Sequence, residues 1–380
     1  MNNISEFSKC SNCGACYNIC PASAISIRVD KMHYGLEVDE EKCINCGLCK
    51  KVCPVNTPKN AQGLINAYGG CNMDEQVVKT SSSGGAFASL ANVILENDGV
   101  VYSASFDNSF REVVIKSTDQ VELEDLKRSK YVESRVDFSF REIKEQLEKG
   151  REVLFCGAPC QVAGLKRYLN KEYDKLLTCD FSCGGMPSHR MYAEYLTHIE
   201  KKLKAPIIAV NFRPKSYGWN LHTMKINSQN GKEYKKISKE DPFMLCFVGN
   251  HFSVRDYCYE CDFADNHYSD IILADFWKCR TVSKIPDKNT GLSLIITNSS
   301  KGEKYINKIS DSFALTILDL DKASYNIVKK EYSKGFFDKR NEFIKICEEQ
   351  GFISASKSIK PKGALKTKSK YYIKKLLGKA

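Results

Sequence analysis

Nowhere in these 380 residues do apolar side chains approach a run of eighteen, so no membrane-spanning helix is expected. The opening MNNISEFSKCSNCGAC has neither a positive n-region nor an apolar h-region, so no secretory signal is expected. With no export signal, the eighteen cysteines argue against a disulfide framework and for thiolate ligands in a reducing cytosol. Neither G-x-G-x-x-G nor a Walker pattern occurs, which excludes a standard dinucleotide site and a P-loop. Acidic residues stop at Glu349. Apolar residues make up 42% of the chain, enough for real cores in two or three domains.

The first 58 residues carry the strongest pattern. Cys10, Cys13, Cys16 and Cys20, followed by Pro21, spell C-x2-C-x2-C-x3-C-P; Cys43, Cys46, Cys49, Cys53 and Pro54 repeat it in full. Three thiolates spaced two residues apart wrap one iron–sulfur cube, and the fourth, before Pro, reaches the other cube. That assigns Cys10, Cys13, Cys16 and Cys53 to one 4Fe–4S cluster, and Cys43, Cys46, Cys49 and Cys20 to a second. Between the runs, AISIRV and GLEVDE alternate like two short strands of a bacterial-type ferredoxin. A zinc-binding or disulfide knot is the competing reading. Two full copies with both prolines disfavour it.

Farther along, strands alternate with helices. INAYGG (65–70), GVVYSASF, EVVIK, KLLTCDF and SLIITN read as strands, and 86–95, 138–149, 188–203 and 300–311 as helices. Asn230–Gly231 marks a hairpin. The expected fold is α+β: a bacterial-type two-cluster ferredoxin domain followed by an α/β core with a mixed sheet. Its expected divisions are 1–58 for the head, 59–150 and 151–350 for the two parts of the core, and 351–380 for a basic tail.

Two strand-to-helix turns in the core end in cysteine. VLFCGAPCQVAGL puts Cys160 at a helix start, where backbone donors favour the thiolate, and LLTCDFSCGGMPS puts Cys183 in a Gly-rich turn. Cys258 and Cys261 add a C-x2-C pair in an aromatic-rich loop. These four thiolates suit a third cube; zinc bound by four Cys is the alternative. Cys156 ends an apolar strand and reads as buried and inert, and Cys71, Cys179, Cys246, Cys279 and Cys347 read as ordinary buried thiols. Upstream, Ser81–Gly85 forms a Ser/Gly turn feeding a helix N-terminus, which suits a phosphate, although a helix cap needs no ligand.

Taken together, SSSGG (81–85), KYVES (130–134), GAPCQVAGL (157–165), CGGMPS (183–188), CYEC (258–261) and DFW (275–277), behind a ferredoxin-like head, resemble the coenzyme F-420 hydrogenase/dehydrogenase beta-subunit family. The resemblance runs to about residue 350. It implies a flavin- and cluster-binding core that holds FAD and one more 4Fe–4S cluster, ligated by Cys160, Cys183, Cys258 and Cys261. Hydride chemistry takes place at the flavin, which converts between single electrons and electron pairs. Ser82, Ser83, Gly84 and Gly85 become the phosphate candidates. Lys130, Tyr131 and Ser134 become candidates for ribose, phosphate or ring. Asp275 and Trp277 line the same pocket in this reading, with core packing the alternative for Trp277. Many members carry His directly after the second core cysteine, whereas this chain has Gly184. No hydrogenase-type nickel motif occurs. His189 and His222 read as surface or cap residues, so no catalytic acid is named.

The expected function is an FAD- and 4Fe–4S-dependent oxidoreductase, exchanging electrons with ferredoxin or another redox partner. It would reduce or oxidise an organic substrate, with coenzyme F-420 or a surface-polysaccharide precursor as candidates. A non-catalytic electron-transfer subunit of a larger complex is the alternative. The tail beyond Glu349 carries nine lysines of a formal charge of +11, which leaves the rest nearly neutral and gives no support to nucleic-acid binding. Tyr371, Tyr372, Ile373, Leu376 and Leu377 interleave with those lysines, as in a helix resting on an anionic membrane; a solvated tail is the alternative. The expected location is cytoplasmic, either free or peripheral at the inner face of the membrane.

Overall fold

The alternating residues between the cysteine runs pair antiparallel as β1 (Ile25–Arg28) and β2 (Gly35–Val38) in the computed structural model. It describes residues 9–29, 31–56, 63–283, 285–286, 288–327 and 329–359. The expected membrane-contacting residues of the basic tail lie outside the described residues. Among the described residues, no helix is long and apolar enough to cross a membrane.

The core begins with β3 (Asn66–Asn72), β4 (Val100–Phe106), β5 (Val113–Ser117) and the short β6 (Ser134–Arg135). Strands β7 (Val153–Cys156) and β8 (Leu176–Phe181) follow. A separate three-stranded meander is made of β9 (Ile207–Asn211), β10 (Thr223–Ser228) and β11 (Glu233–Ile237), with Gly231 at φ 78° in the expected hairpin turn. The chain then re-enters the main sheet as β12 (Ile271–Asp275), β13 (Ser293–Thr297) and β14 (Phe313–Leu318). The nine-stranded order is β14-β3-β13-β12-β8-β7-β4-β5-β6. Four central strands, β12, β8, β7 and β4, run parallel, while β13 and β14 pair antiparallel with their neighbours, so the sheet is mixed as expected.

The parallel strands are short and apolar because both faces are covered. On one face, Val153 and Phe155 of β7 pack with Val100, Tyr102 and the helix Pro159–Leu169. On the other, Leu154 and Cys156 join the helices Ala86–Leu95 and Ser300–Ile309. The head sits on the first face: Cys13, Ala15 and Val52 belong to the same apolar cluster as Cys160 and Leu165. Its attachment is therefore a shared core.

Packing also continues past residue 350, where composition alone places the start of the tail. The short helix Phe352–Ser356 buries Phe352 and Ala355 among Tyr192, Tyr195 and Phe243. A change in charge composition does not mark the point where apolar burial ends.

Candidate functional site

In the head, Gly14 (φ 83°) and Gly47 (φ 72°) turn each cysteine run into its short helix. Cys10, Cys13 and Cys53 all act electrostatically on the Cys16 thiol, as expected of one ligand group. Cys20, Cys43, Cys46 and Cys49 line a single cavity with Ile25 and Val38. The structure thus places the four cysteines of each interleaved set near one another. Backbone amides already point at sulfur: Asn12 N lies 3.4 Å from Cys10 Sγ, and Ala24 N 3.3 Å from Cys20 Sγ. Burial pushes the Cys13 thiol up to about 12, so the ligating thiolate depends on the positive charge of bound iron. The second group is the open one, with Cys46 exposed and Ile44 65% exposed beside it.

The core thiols converge at the C-terminal edge of the parallel strands. Cys160 follows β7 and Cys183 follows β8; Cys258 and Cys261 flank the end of the 3-10 turn Asp256–Glu260. Cys261, Cys183 and Cys258 each raise the Cys160 thiol, after burial as the main cause. Gly185 N and Phe263 N stand 3.4 Å from Cys183 Sγ and Cys261 Sγ. Arg340 clamps the loop from outside, donating to Tyr259 OH at 2.8 Å and pairing with Asp256. In a four-cysteine zinc site the sulfurs crowd within about 4 Å of one another, given Zn–S near 2.3 Å. Four convergent thiols also suit the larger 4Fe–4S cube. Cys156 takes no part, facing Ser103, Asp180 and Lys130 instead.

The head and core groups share a wall. A Cβ on Gly164, in the helix that Cys160 begins, would lie 3.0 Å from Cys13 Cβ and 3.1 Å from its Sγ. Cys160 Sγ is 3.7 Å from Ser11 O. At the other side of the core group, Gly184 stands beside His251, whose Cε1 would be 3.6 Å from a Cβ there. The His251 ring meets Lys330 Nζ at 2.8 Å and Tyr332 OH at 3.3 Å.

Along the same sheet edge lies the Ser/Gly turn. Ser82 Oγ accepts from Ser129 N at 2.7 Å, and Ser83 Oγ donates to Leu292 O at 2.5 Å. Gly84 has no room for a side chain, since a Cβ would lie 2.5 Å from Gly70 O, and Gly85 (φ 92°) caps the helix. The two hydroxyls therefore tie the turn to its neighbours. The charge comes from a segment that the sequence reading passed over, NFRPKSYGWNLH (211–222). Lys215 Nζ donates to Ser83 O at 2.7 Å, and burial, then Arg213, push it down to about 8. Arg213 pairs with Asp275 at 2.6 Å and lies over Trp277, 5.4 Å from the ring.

Trp277 is 38% exposed and stacks on Trp219 with centroids 4.2 Å apart, so it forms a platform at the surface as well as packing inward. Its neighbour His222 is held neutral, pushed down to about 4 by burial and then Arg213. Tyr131 joins this group through Arg213 and packs 5.4 Å from Phe247, which in turn borders Gly184. Arg213 Nη2 and Trp219 Nε1 are buried donors with no hydrogen-bond partner among the described residues. Such donors suit an anionic or carbonyl-bearing ligand. Two candidates lie apart from this group. Lys130 sits near Phe106, donating to Lys127 O at 2.8 Å, and burial pushes it down to about 7. Ser134 Oγ accepts from Gln161 Nε2 at 3.0 Å and so supports the Cys160 turn. His189, expected at a cap or surface, is buried because it bonds to Glu133 inside the head–core contact.

Residues 150–323 match the family model for the C-terminal part of the coenzyme F-420 hydrogenase/dehydrogenase beta subunit. Residues 9–57 match the 4Fe–4S dicluster domain. No curated protein matches. A chain of the F-420-reducing NiFe hydrogenase complex from Methanosarcina barkeri is similar over 76% of this chain and 93% of its own, at 14% identity and a TM-score of 0.48.

Proposed function

Residues 150–323 of this chain belong to the coenzyme F-420 hydrogenase/dehydrogenase beta-subunit family, behind a two-cluster 4Fe–4S head, and from that premise we infer an FAD-containing iron–sulfur oxidoreductase acting on an organic substrate. One observation carries the reading: three groups of four cysteines stand in series from an exposed edge toward the Arg213 and Trp277 side chains. The exposed edge is the Cys20, Cys43, Cys46 and Cys49 group, where an external redox partner has access. Next comes the Cys10, Cys13, Cys16 and Cys53 group, walled by Gly164 against Cys160. Cys160, Cys183, Cys258 and Cys261 follow, and Phe247 and Tyr131 lead on to Arg213 and Trp277.

When bound, clusters carry single electrons and a flavin couples them to two-electron chemistry. The residues supply the rest. Lys215 and Arg213 are the cations for a pyrophosphate, backed by the rigid turn at Gly84 and Gly85. Trp277 offers its exposed face to a planar ring, and Asp275 fixes the guanidinium beneath it. Coenzyme F-420 and a surface-polysaccharide precursor are the substrate candidates, and the site of action is cytoplasmic or at the inner membrane face.

Anaerobically purified protein should hold about 12 iron atoms per chain, the sum of three 4Fe–4S clusters. It should also hold one FAD that reduced ferredoxin can reduce. Zinc with about eight iron atoms would leave a ferredoxin head on a zinc domain. FAD that fills with electrons but passes them to no organic acceptor would make the protein a relay subunit.

A further inference from the structure

At the β1–β2 connection, one buried carboxylate ties the head to the core. Glu133 has a wholly inaccessible side chain and four partners from three parts of the chain. Its Oε1 accepts from Tyr34 N at 2.9 Å and meets His189 Nδ1 at 2.7 Å; its Oε2 accepts from Arg255 Nη2 at 2.9 Å and lies 3.3 Å from His33 Nδ1. His33 and Tyr34 belong to the β1–β2 connection of the head. His189 follows the Cys183 turn, and Arg255 precedes Cys258. The joint is closed by the Tyr34 ring stacked on His189 at 3.8 Å, by Ser188 donating to Met32 O, and by Arg255 donating to Tyr34 O.

An apolar patch would attach a hairpin as firmly as a buried ion pair, and often more so, because desolvation opposes the pair. What the pair adds is direction, and Arg255 has somewhere to be directed. Burial works against ionisation of Glu133, but His33 and Arg255 outweigh it and hold the carboxyl well below the usual range. The Cys10 thiolate of the head and the Cys258 thiolate of the core in turn favour the charged guanidinium of Arg255. Its carbonyl accepts from Cys258 N at 2.9 Å, which fixes it to the core group. One cation thus stands between two thiolate groups, and Glu133 aims it.

We propose that Glu133 is a positioning residue for electron passage between head and core, holding Arg255 as the cation shared by the Cys10 and Cys258 groups. The proposal rests on reading both groups as cluster sites. Reduction adds negative charge to a cluster, so a nearby cation favours the reduced form and a nearby anion disfavours it. If Glu133 acts only as a charge, removing it raises the potentials; if it aims Arg255, removing it loses the cation and lowers them.

The test is an anaerobic redox titration of the full-length holoprotein, followed by electron paramagnetic resonance, with iron counted in each sample. Arg255→Gln should lower the midpoint potentials of the head and core clusters nearest it, and Glu133→Gln, which frees the guanidinium, should lower them too. The double variant should go no lower than Arg255→Gln, and the spin–spin broadening between the two reduced clusters should weaken in all three. Lys9→Ala, which removes an exposed head–core ion pair with Glu260, should change neither quantity. If Glu133→Gln does not fold, Arg255→Lys decides the matter, because a retained charge should restore the potentials that Arg255→Gln lowers. A rise in Glu133→Gln, or no shift in either single variant with full iron, would overturn the proposal. Wild-type protein showing only the two head clusters would sink it together with the cluster reading, and the iron count identifies that case.

Discussion

Cys156 and Cys160 lie four residues apart, but the strand end separates their roles. Cys156 points with Leu154 to the face covered by the helices Ala86–Leu95 and Ser300–Ile309, while Cys160 turns toward Cys13 and Ser11. Cys160→Ser should therefore cost about four iron atoms per chain, and Cys156→Ser none, by metal analysis of anaerobic protein. Equal losses would mean that both belong to one site. Lys215 gives a pH prediction. Its amine is neutral above about 8 when the pocket is empty, and an anionic phosphate binds the protonated form, so binding takes up a proton. FAD affinity should then weaken on the order of tenfold from pH 7 to pH 9, read by flavin fluorescence on titration into deflavinated protein. Lys215→Met should flatten that profile. A steep profile that survives the substitution would place the phosphate elsewhere.

Helices and strands were legible where periodicity is local. The helix at 86–95 has those bounds, and the cap at Ser188 accepts from Met191 N at 3.1 Å. What the glycines do was not legible, because their partners are remote. Gly164 is an ordinary small residue in sequence, yet the space for its side chain is taken by Cys13 of the head. Gly164→Val should overpack that contact and cost about 1–3 kcal/mol, seen as a lower Tm and a disturbed head-cluster signal. A Tm loss with the signal unchanged would show that the strain stays inside the helix. The last helix offers a second case. Phe352 is fully buried among aromatic side chains, so Phe352→Ala should cost about 3–5 kcal/mol in thermal melting. An unchanged Tm would mean that residues 352–356 add nothing to the core.

At the scale of the whole molecule, eight candidate ligands were readable because cube geometry is written into short spacings. Of the four core candidates, Cys160 and Cys183 were readable as strand-end turns, and Cys258 and Cys261 as a C-x2-C pair. The structure brings Ser83, Tyr131, Asp275 and Trp277 around Arg213 and Lys215, and those two cations do not announce themselves in the sequence. Arg213, Lys215 and His222 come from an irregular segment after β9, outside the main sheet. It reaches the site only because β12 and β13 align Asp275 with Ser293, and β13 and β3 align Ser293 with Gly70. That convergence is a property of register across strands, which no single segment reveals. The basic string in NFRPKSYGWNLH, mixed with three aromatics, was the available signal.

The order of the ligands along the chain sets an order of manufacture. Both head sites are complete at Cys53, whereas the core site waits for Cys261, roughly two hundred residues and on the order of 10–40 s of synthesis later. Arg340, which clamps the Cys258 loop, arrives later still. Newly made head can thus be loaded on the ribosome while Gly164 is still being translated. A Cys13 already locked by iron then gives the helix of Cys160 a finished surface to fold against. Nascent chains arrested after residue 100 should already carry iron, and chains arrested after residue 300 should carry no more than that until Arg340 has emerged. Iron-free arrested heads would instead mean that the core is the mould in which all three sites are cast.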